Sequence, residues 1–269
     1  MNKELLIRTI SALLLLLLTV VTYKFAGTGG LLVLGLIVIL IGAYEYSNLF
    51  LKNDLPLKIL FLSTSVISIP LFYIHTVSPL VYISLVVITF GTFVCKRGAG
   101  NFNEIHKSIS TLFLGYFYTI ICPFFLFRIL SIETNGLKLF FSVLLITFSS
   151  DVFAYVFGRA FGRSLLFPLI SPKKTIAGAF GGLLAPCIFS YVTLFYLFNL
   201  SNPLYSVIIG LLCGLATQTG DFFASLLKRV AGVKDSGKIM PGHGGVLDRF
   251  DGLYFSGPVF YTLYYFLHS

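Results

Sequence analysis

Long apolar runs alternate with short polar stretches along the whole chain. A helix of about 20 apolar residues crosses the hydrocarbon core of a bilayer. Runs of that order occupy 5–23, 30–50, 57–74, 79–95, 109–130, 137–158, 175–199, 204–224 and 250–267. The pattern predicts an all-α, polytopic integral membrane helix bundle of about nine transmembrane helices. Tight turns at Thr76–Ser78 and Ser201–Pro203 make their flanking helices antiparallel neighbours. The first run follows Lys3 and Arg8 but leads straight into a second apolar run, with no small-residue cleavage site between them. It reads as an uncleaved helix rather than a signal peptide. Three polar segments, 96–108, 159–174 and 225–249, interrupt the pattern for longer.

Charge orients this arrangement. If the N-terminus and every second connection share one side, the opposite side receives only Lys24, Arg128 and Lys138 of all the basic residues. Positive charge collects on the cytoplasmic side, so the N-terminus and the three longer segments are expected there and the C-terminus outside. Composition narrows the class further. Hydrophobic residues make up 57% of the chain and charged residues 11%, against about a quarter charged in a soluble domain. The net charge of +9 suits anionic headgroups or an anionic substrate. With no basic soluble domain, a nucleic-acid partner is excluded. Cys95, Cys122, Cys187 and Cys213 are scattered without a C-x-x-C, which predicts neither a disulfide nor a zinc site.

Candidate chemistry lies where polar groups break the apolar pattern. Glu45, Asp151 and Asp221 fall inside apolar runs, where an ionisable group is costly and marks function by default. Asp221, Ser225, Lys228 and Arg229 share one helix face by their spacing. Asp248 and Asp251 stand three apart at the start of the last run. Asp residues on facing helices make a natural Mg²⁺ site, although a helix-cap role suits Asp251 equally. Between them, 225–251 carries Lys228, Arg229, Lys234, Lys238 and Asp235, with Gly237, Gly242, His243, Gly244 and Gly245. Cations, hard oxygens and glycine turns together suit a polyphosphate with a divalent ion. In Ser171-Pro172-Lys173-Lys174-Thr175, Ser before Pro predicts a helix start with two lysines beside its free amides. His243 holds its loop by a backbone hydrogen bond, touches a phosphate or ligates metal, with the first two favoured. Gly158 with Gly162, and Gly178 with Gly182, form G-x-x-x-G pairs that read mainly as close-packing devices.

At these residues the chain closely resembles the phosphatidate cytidylyltransferases (CDP-diacylglycerol synthases). The resemblance rests on Ser225, Lys228-Arg229, Lys234-Asp235, Pro241-Gly242-His243-Gly244-Gly245, Asp248-Arg249 and Asp251. It extends upstream to Asp151, Gly158, Gly162, the S-P-K-K-T stretch and Q-T-G-D ending at Asp221. It implies a Mg²⁺-dependent enzyme of the cell membrane, homodimeric, with its active site facing the cytoplasm. Such an enzyme converts CTP and phosphatidic acid to CDP-diacylglycerol and pyrophosphate among the membrane lipids. On that reading 1–130 supplies scaffold, lipid access and dimer contacts, and 131–269 is the catalytic region with loops 159–174 and 225–249. Asp221, Lys228, Arg229, Asp248 and Arg249 become the catalytic candidates, and Asp221, Asp248 and Asp251 the metal ligands. Lys173, Lys174, Thr175, Ser225, Lys234, Asp235, His243, Gly244 and Gly245 become substrate contacts.

The chemistry of the residues agrees. A lipid phosphate is mostly ionised at neutral pH, so its attack needs no general base, and no Ser-His-Asp pattern is present. A CTP-dependent lipid kinase, whose alcohol nucleophile needs a base, is the nearest rival. An ion-coupled transporter using Asp151 and Asp221 as relays is another, but no inverted repeat or broken mid-membrane helix is evident.

Overall fold

The computed structural model describes residues 3–73, 79–97, 101–132, 134–168, 170–239 and 244–268. Helices dominate them: α1 (Lys3–Phe50), α2 (Leu55–Tyr73), α3 (Pro79–Arg97), α4 (Phe102–Tyr116), α5 (Cys122–Leu130), α6 (Gly136–Phe161), α7 (Ile176–Ser190), α8 (Pro203–Val230) and α9 (Leu247–His268). The two apolar runs expected at the N-terminus lie within α1, which breaks at Gly27, where φ is 60°. Only glycine adopts that conformation at little steric cost. The turn expected at 76–78 and residue His243 lie outside the described residues.

Five helical stretches are long and apolar enough to cross a membrane: Leu17–Phe50, Phe102–Leu130, Gly136–Phe161, Ile176–Leu197 and Pro203–Val230. Shorter apolar helices run Leu55–Ser68 and Val86–Cys95. The architecture is thus an all-α membrane helix bundle. Two of the long stretches contain π-helical segments, Phe117–Ile121 between α4 and α5, and Tyr191–Leu197 after α7. The first precedes Pro123, which has no N–H to donate back along the helix.

The expected helix start at Ser171-Pro172 is corrected. Ser171–Thr175 is a strand, β2, paired antiparallel with β1 (Leu165–Phe167), with Leu165 opposite Thr175 and Phe167 opposite Ser171. Helix α7 begins only at Ile176, where Thr175 is extended and its hydroxyl accepts from the Gly178 amide. The β-branched cap fixes the boundary four residues beyond Ser171.

Helices α6, α7, α8 and α9 pack through small residues. A Cβ on Gly178 would meet the Ala154 carbonyl and the Gly158 Cα, so the two G-x-x-x-G stretches face each other across α6 and α7. Pro186 cannot donate to the Gly182 carbonyl. The Ser150 hydroxyl donates to that oxygen instead, at 2.7 Å. Gln218 of α8 donates to the Ala179 carbonyl of α7 at 2.9 Å, and Thr147 of α6 meets Ser256 of α9 at 2.7 Å. Hydrogen bonds between membrane helices contribute about 0.6 kcal/mol each on average; here they also fix register.

Two apolar clusters flank this packing. One joins Ile39, Tyr46, Phe61, Phe90, Leu112 and Tyr118 to Leu227, Leu247 and Tyr254. The other joins Leu126, Ile129, Leu139 and Ile146 to Leu194, Ile209, Leu253 and Phe260. Helix α9 contributes to both, so its loop-side end is pinned between α1 and α8.

Candidate active site

Small residues let three acidic helices converge. A Cβ on Gly220 would run into the Asp251 carbonyl, and one on Gly252 would strike Thr217. Helices α8 and α9 therefore cross backbone to backbone beside Asp221 and Asp251. Asp151 of α6 joins them, within electrostatic reach of Asp221, Asp251, Lys174 and Arg249. Lys174 reaches Asp221 from β2, with Nζ 2.5 Å from Oδ2. The hairpin is seated on α8 by Phe167, edge-on to Phe222 at 4.4 Å between centroids. The Lys174 ammonium lies 4.7 Å from the centre of the same ring, a favourable position for a cation.

The loop after α8 folds back on a second pair. Lys228 Nζ stands 2.5 Å from Asp248 Oδ1. The other oxygen of Asp248 accepts from the Ser236 amide at 2.8 Å, the Ser236 hydroxyl at 2.9 Å and the Gly245 amide at 3.0 Å. Asp248 lies ahead of the apolar run 250–267. Burial would raise its carboxyl, but the Lys228 ammonium and these amides outweigh that and hold it below the usual carboxylate range. Gly244 has φ of 84°, a turn that side chains rarely adopt.

Glu45 completes the loop's support. It is 2% exposed, and its carboxylate accepts from the amides of Val246 and Leu247, both at 3.0 Å. Ser236 Oγ also lies 3.3 Å from it. A Cβ on Gly237 or Gly245 would collide with that carboxylate, so these two glycines make room for Glu45.

A sequence model of the family described as "Cytidylyltransferase family" matches residues 6–267. The chain belongs to the cytidylyltransferase family. Its relatives include a phosphatidate cytidylyltransferase of Rickettsia felis, 35% identical over 220 residues that cover 79% of this chain and 93% of that protein. One from Aquifex aeolicus is 39% identical over 160 residues, covering 60% of this chain and 58% of its own. One from Staphylococcus haemolyticus is 43% identical over 128 residues, covering 47% of this chain and 49% of its own.

In this cytidylyltransferase-family chain, the structure gathers Asp221, Lys174, Lys228, Asp248 and Asp251 at the α8–α9 crossing and the loop above it. Arg229, Lys234, Asp235 and Arg249 are exposed around that loop, as is Lys173 on β2, while Ser225 is half-buried. Thr175 serves as the α7 cap, at 3.1 Å from the Gly178 amide. Gly244 lies against Asp248 and Asp235. Asp251 does not cap α9, since it sits within the helix and its Oδ1 accepts from the adjacent Gly252 amide at 2.8 Å.

Two features of the site escaped the sequence: the hydrogen bonds of Glu45 to the start of α9 and those of Ser236 to Asp248. A buried Glu in an apolar run is a signal for the first; Ser236 carried none.

The donor set suits Mg²⁺ in kind, because carboxylate oxygens from facing helices are its preferred ligands. Among the described residues, no three Asp, Glu, His or Cys side chains form a group that could hold a metal ion as they stand. Lys174 and Lys228 occupy oxygens of Asp221 and Asp248.

Proposed function

We propose that the chain transfers CMP from CTP to phosphatidate, giving CDP-diacylglycerol and pyrophosphate. The observation that carries this reading is the pairing of Asp221 with Lys174 of β2 and of Asp248 with Lys228, both beside the glycine-lined crossing of α8 and α9. Sequence membership in the cytidylyltransferase family and the names of its relatives support the substrates.

An ionised phosphate oxygen of the lipid attacks the α-phosphorus of CTP. The bond from that phosphorus to the oxygen bridging the β-phosphate breaks, and pyrophosphate leaves with the electron pair. No proton needs to be removed from the nucleophile. The difficulty is charge, and the chain answers it with cations. Lys173 and Lys174 approach from β2, Lys228 and Arg229 from the end of α8, and Arg249 from α9. Placed around the nucleotide phosphates, they stabilise the negative charge that develops on the leaving pyrophosphate. Ser225, Lys234, Asp235, His243, Gly244 and Gly245 are the proposed contacts of the nucleotide around that loop. Thr175 holds the start of α7 beside them.

Asp221, Asp248 and Asp251 are the proposed holders of Mg²⁺, with Lys174 and Lys228 releasing their carboxylates. When bound, the ion would neutralise phosphate oxygens and lower the barrier to displacement. The same reading gives a homodimer in the cell membrane, about nine crossings, and a site opening to the cytoplasm. Phosphatidate would then arrive laterally from the bilayer and CTP from the aqueous side.

Purified protein in phosphatidate-containing vesicles, given CTP labelled in its α-phosphate, should form labelled CDP-lipid and unlabelled pyrophosphate, dependent on Mg²⁺. Label remaining in free CDP, with a newly phosphorylated lipid, would assign the chain to the kinases instead. Solute uptake without CTP would point to transport.

A further inference from the structure

Helix α9 begins without a local cap. Its first amides follow Gly245 and Val246, which offer no side-chain oxygen. Asp248, the acidic residue of its first turn, is turned instead toward Lys228, Ser236 and the Gly245 amide. The missing cap comes from Glu45, 201 residues away from Val246, on a different helix. Its carboxylate takes the Val246 and Leu247 amides, the place where a helix N-terminus favours negative charge. Ser236 Oγ then bridges Glu45 to Asp248, at 3.3 Å and 2.9 Å. A continuous chain of contacts therefore runs from Glu45 through Ser236 to Asp248 and Lys228.

We propose that Glu45 is a positioning residue for the transfer reaction: by capping α9 from α1 it sets where Asp248 and Lys228 stand. The inference rests on the functional reading above. It touches no substrate in this account and acts only through the loop. Gly237 and Gly245 belong to the same device, because any side chain at either would displace the carboxylate. In place of Glu45, Gln offers one acceptor oxygen, but its amide group opposes the second N–H.

The test compares full-length Glu45→Ala, Glu45→Gln, Ser236→Ala and Gly237→Ala with the wild type in the same vesicles. Two quantities are read: kcat for CDP-lipid formation, and amide hydrogen exchange across 236–249. Glu45→Ala should accelerate exchange in that segment alone and lower kcat about a hundredfold, as misplacement of a reacting group does. The KM for phosphatidate should stay near wild type. Glu45→Gln should fall between the two, and Gly237→Ala should reproduce the loss with Glu45 intact. Unchanged exchange at 244–249 overturns the inference, and so does faster exchange with wild-type kcat. Loss of protection throughout the bundle in both Glu45→Ala and Gly237→Ala also overturns it, because Glu45 is then a general fold residue. Absence of CDP-lipid from the wild type defeats the functional reading instead, and the exchange measurement alone then decides whether Glu45 orders the loop.

Discussion

Single charges at this site have two duties, and Lys228 shows both. Its ammonium sits 17% exposed beside an Asp248 that is 7% exposed, so truncation leaves a largely buried carboxylate without its counter-charge. Lys228→Ala should lower the stability of the fold by on the order of 1–3 kcal/mol, read as a lower melting temperature in detergent. It should also reduce kcat/KM for CTP; an unchanged value would remove Lys228 from the nucleotide site. The pH dependence has a definite sign. The Asp248 carboxyl is held below its ordinary value, which is about 3.9 in an unfolded chain. Its contribution to stability is therefore full above about pH 4 and is lost as pH falls through the lower folded value. The wild-type melting temperature should fall on acidification in that range, and should do so less steeply in Lys228→Ala. Equal steepness in both would show that the pair is not the source.

At the scale of elements, caps and helix crossings hold the site in place. Thr175, a proposed substrate contact, also caps α7. Thr175→Ala should cost about 1 kcal/mol of stability, with Thr175→Ser close to wild type; a melting temperature unmoved by Ala would deny the cap. Gly220 tests the helix crossing. Gly220→Ala drives a Cβ into the Asp251 carbonyl, so melting temperature and CDP-lipid formation should fall together. Full retention of both would mean that α8 and α9 do not meet so closely. The hydroxyls of Tyr118 and Tyr254 are buried without a hydrogen-bond partner among the described residues. An unsatisfied buried hydroxyl carries a desolvation cost, so Tyr118→Phe should leave stability equal or higher, whereas a clear fall in melting temperature would reveal a partner.

These elements also show what a sequence discloses. The apolar runs announce the helices because burial in lipid demands continuous hydrophobicity and closed backbone hydrogen bonds. The G-x-x-x-G pairs announce the α6–α7 contact because only small residues let backbones touch. The hairpin over 165–175 was hidden: Ser-Pro imitates a helix start, and the contact of Phe167 with Phe222 follows no local pattern. Glu45 was visible as costly, but its partners at 246 and 247 lie at the far end of the chain. No local spacing rule connects them. The clustering of Asp221 with Asp251 was legible in outline, from residue type and helix position. The pairing of Lys174 with Asp221 required the hairpin to be known first.

For the whole molecule, charge distribution and site geometry make a joint claim about sidedness. With the four native cysteines replaced by alanine, Val233→Cys in right-side-out vesicles should react with an impermeant thiol reagent only after the vesicles are opened. Ser201→Cys should react without opening. The reverse pattern would turn the 225–249 loop away from CTP. Beneath that lies the central claim, that carboxylates of α8 and α9 and the cations beside them act together on two phosphates. It is tested most directly by measuring CDP-lipid formation from phosphatidate and CTP in vesicles containing wild type, Asp221→Asn or Asp248→Asn, at matched amounts of folded protein. Robust wild-type turnover that needs Mg²⁺, with each variant reduced at least about a hundredfold, is the result expected; near-normal turnover in both variants would contradict it.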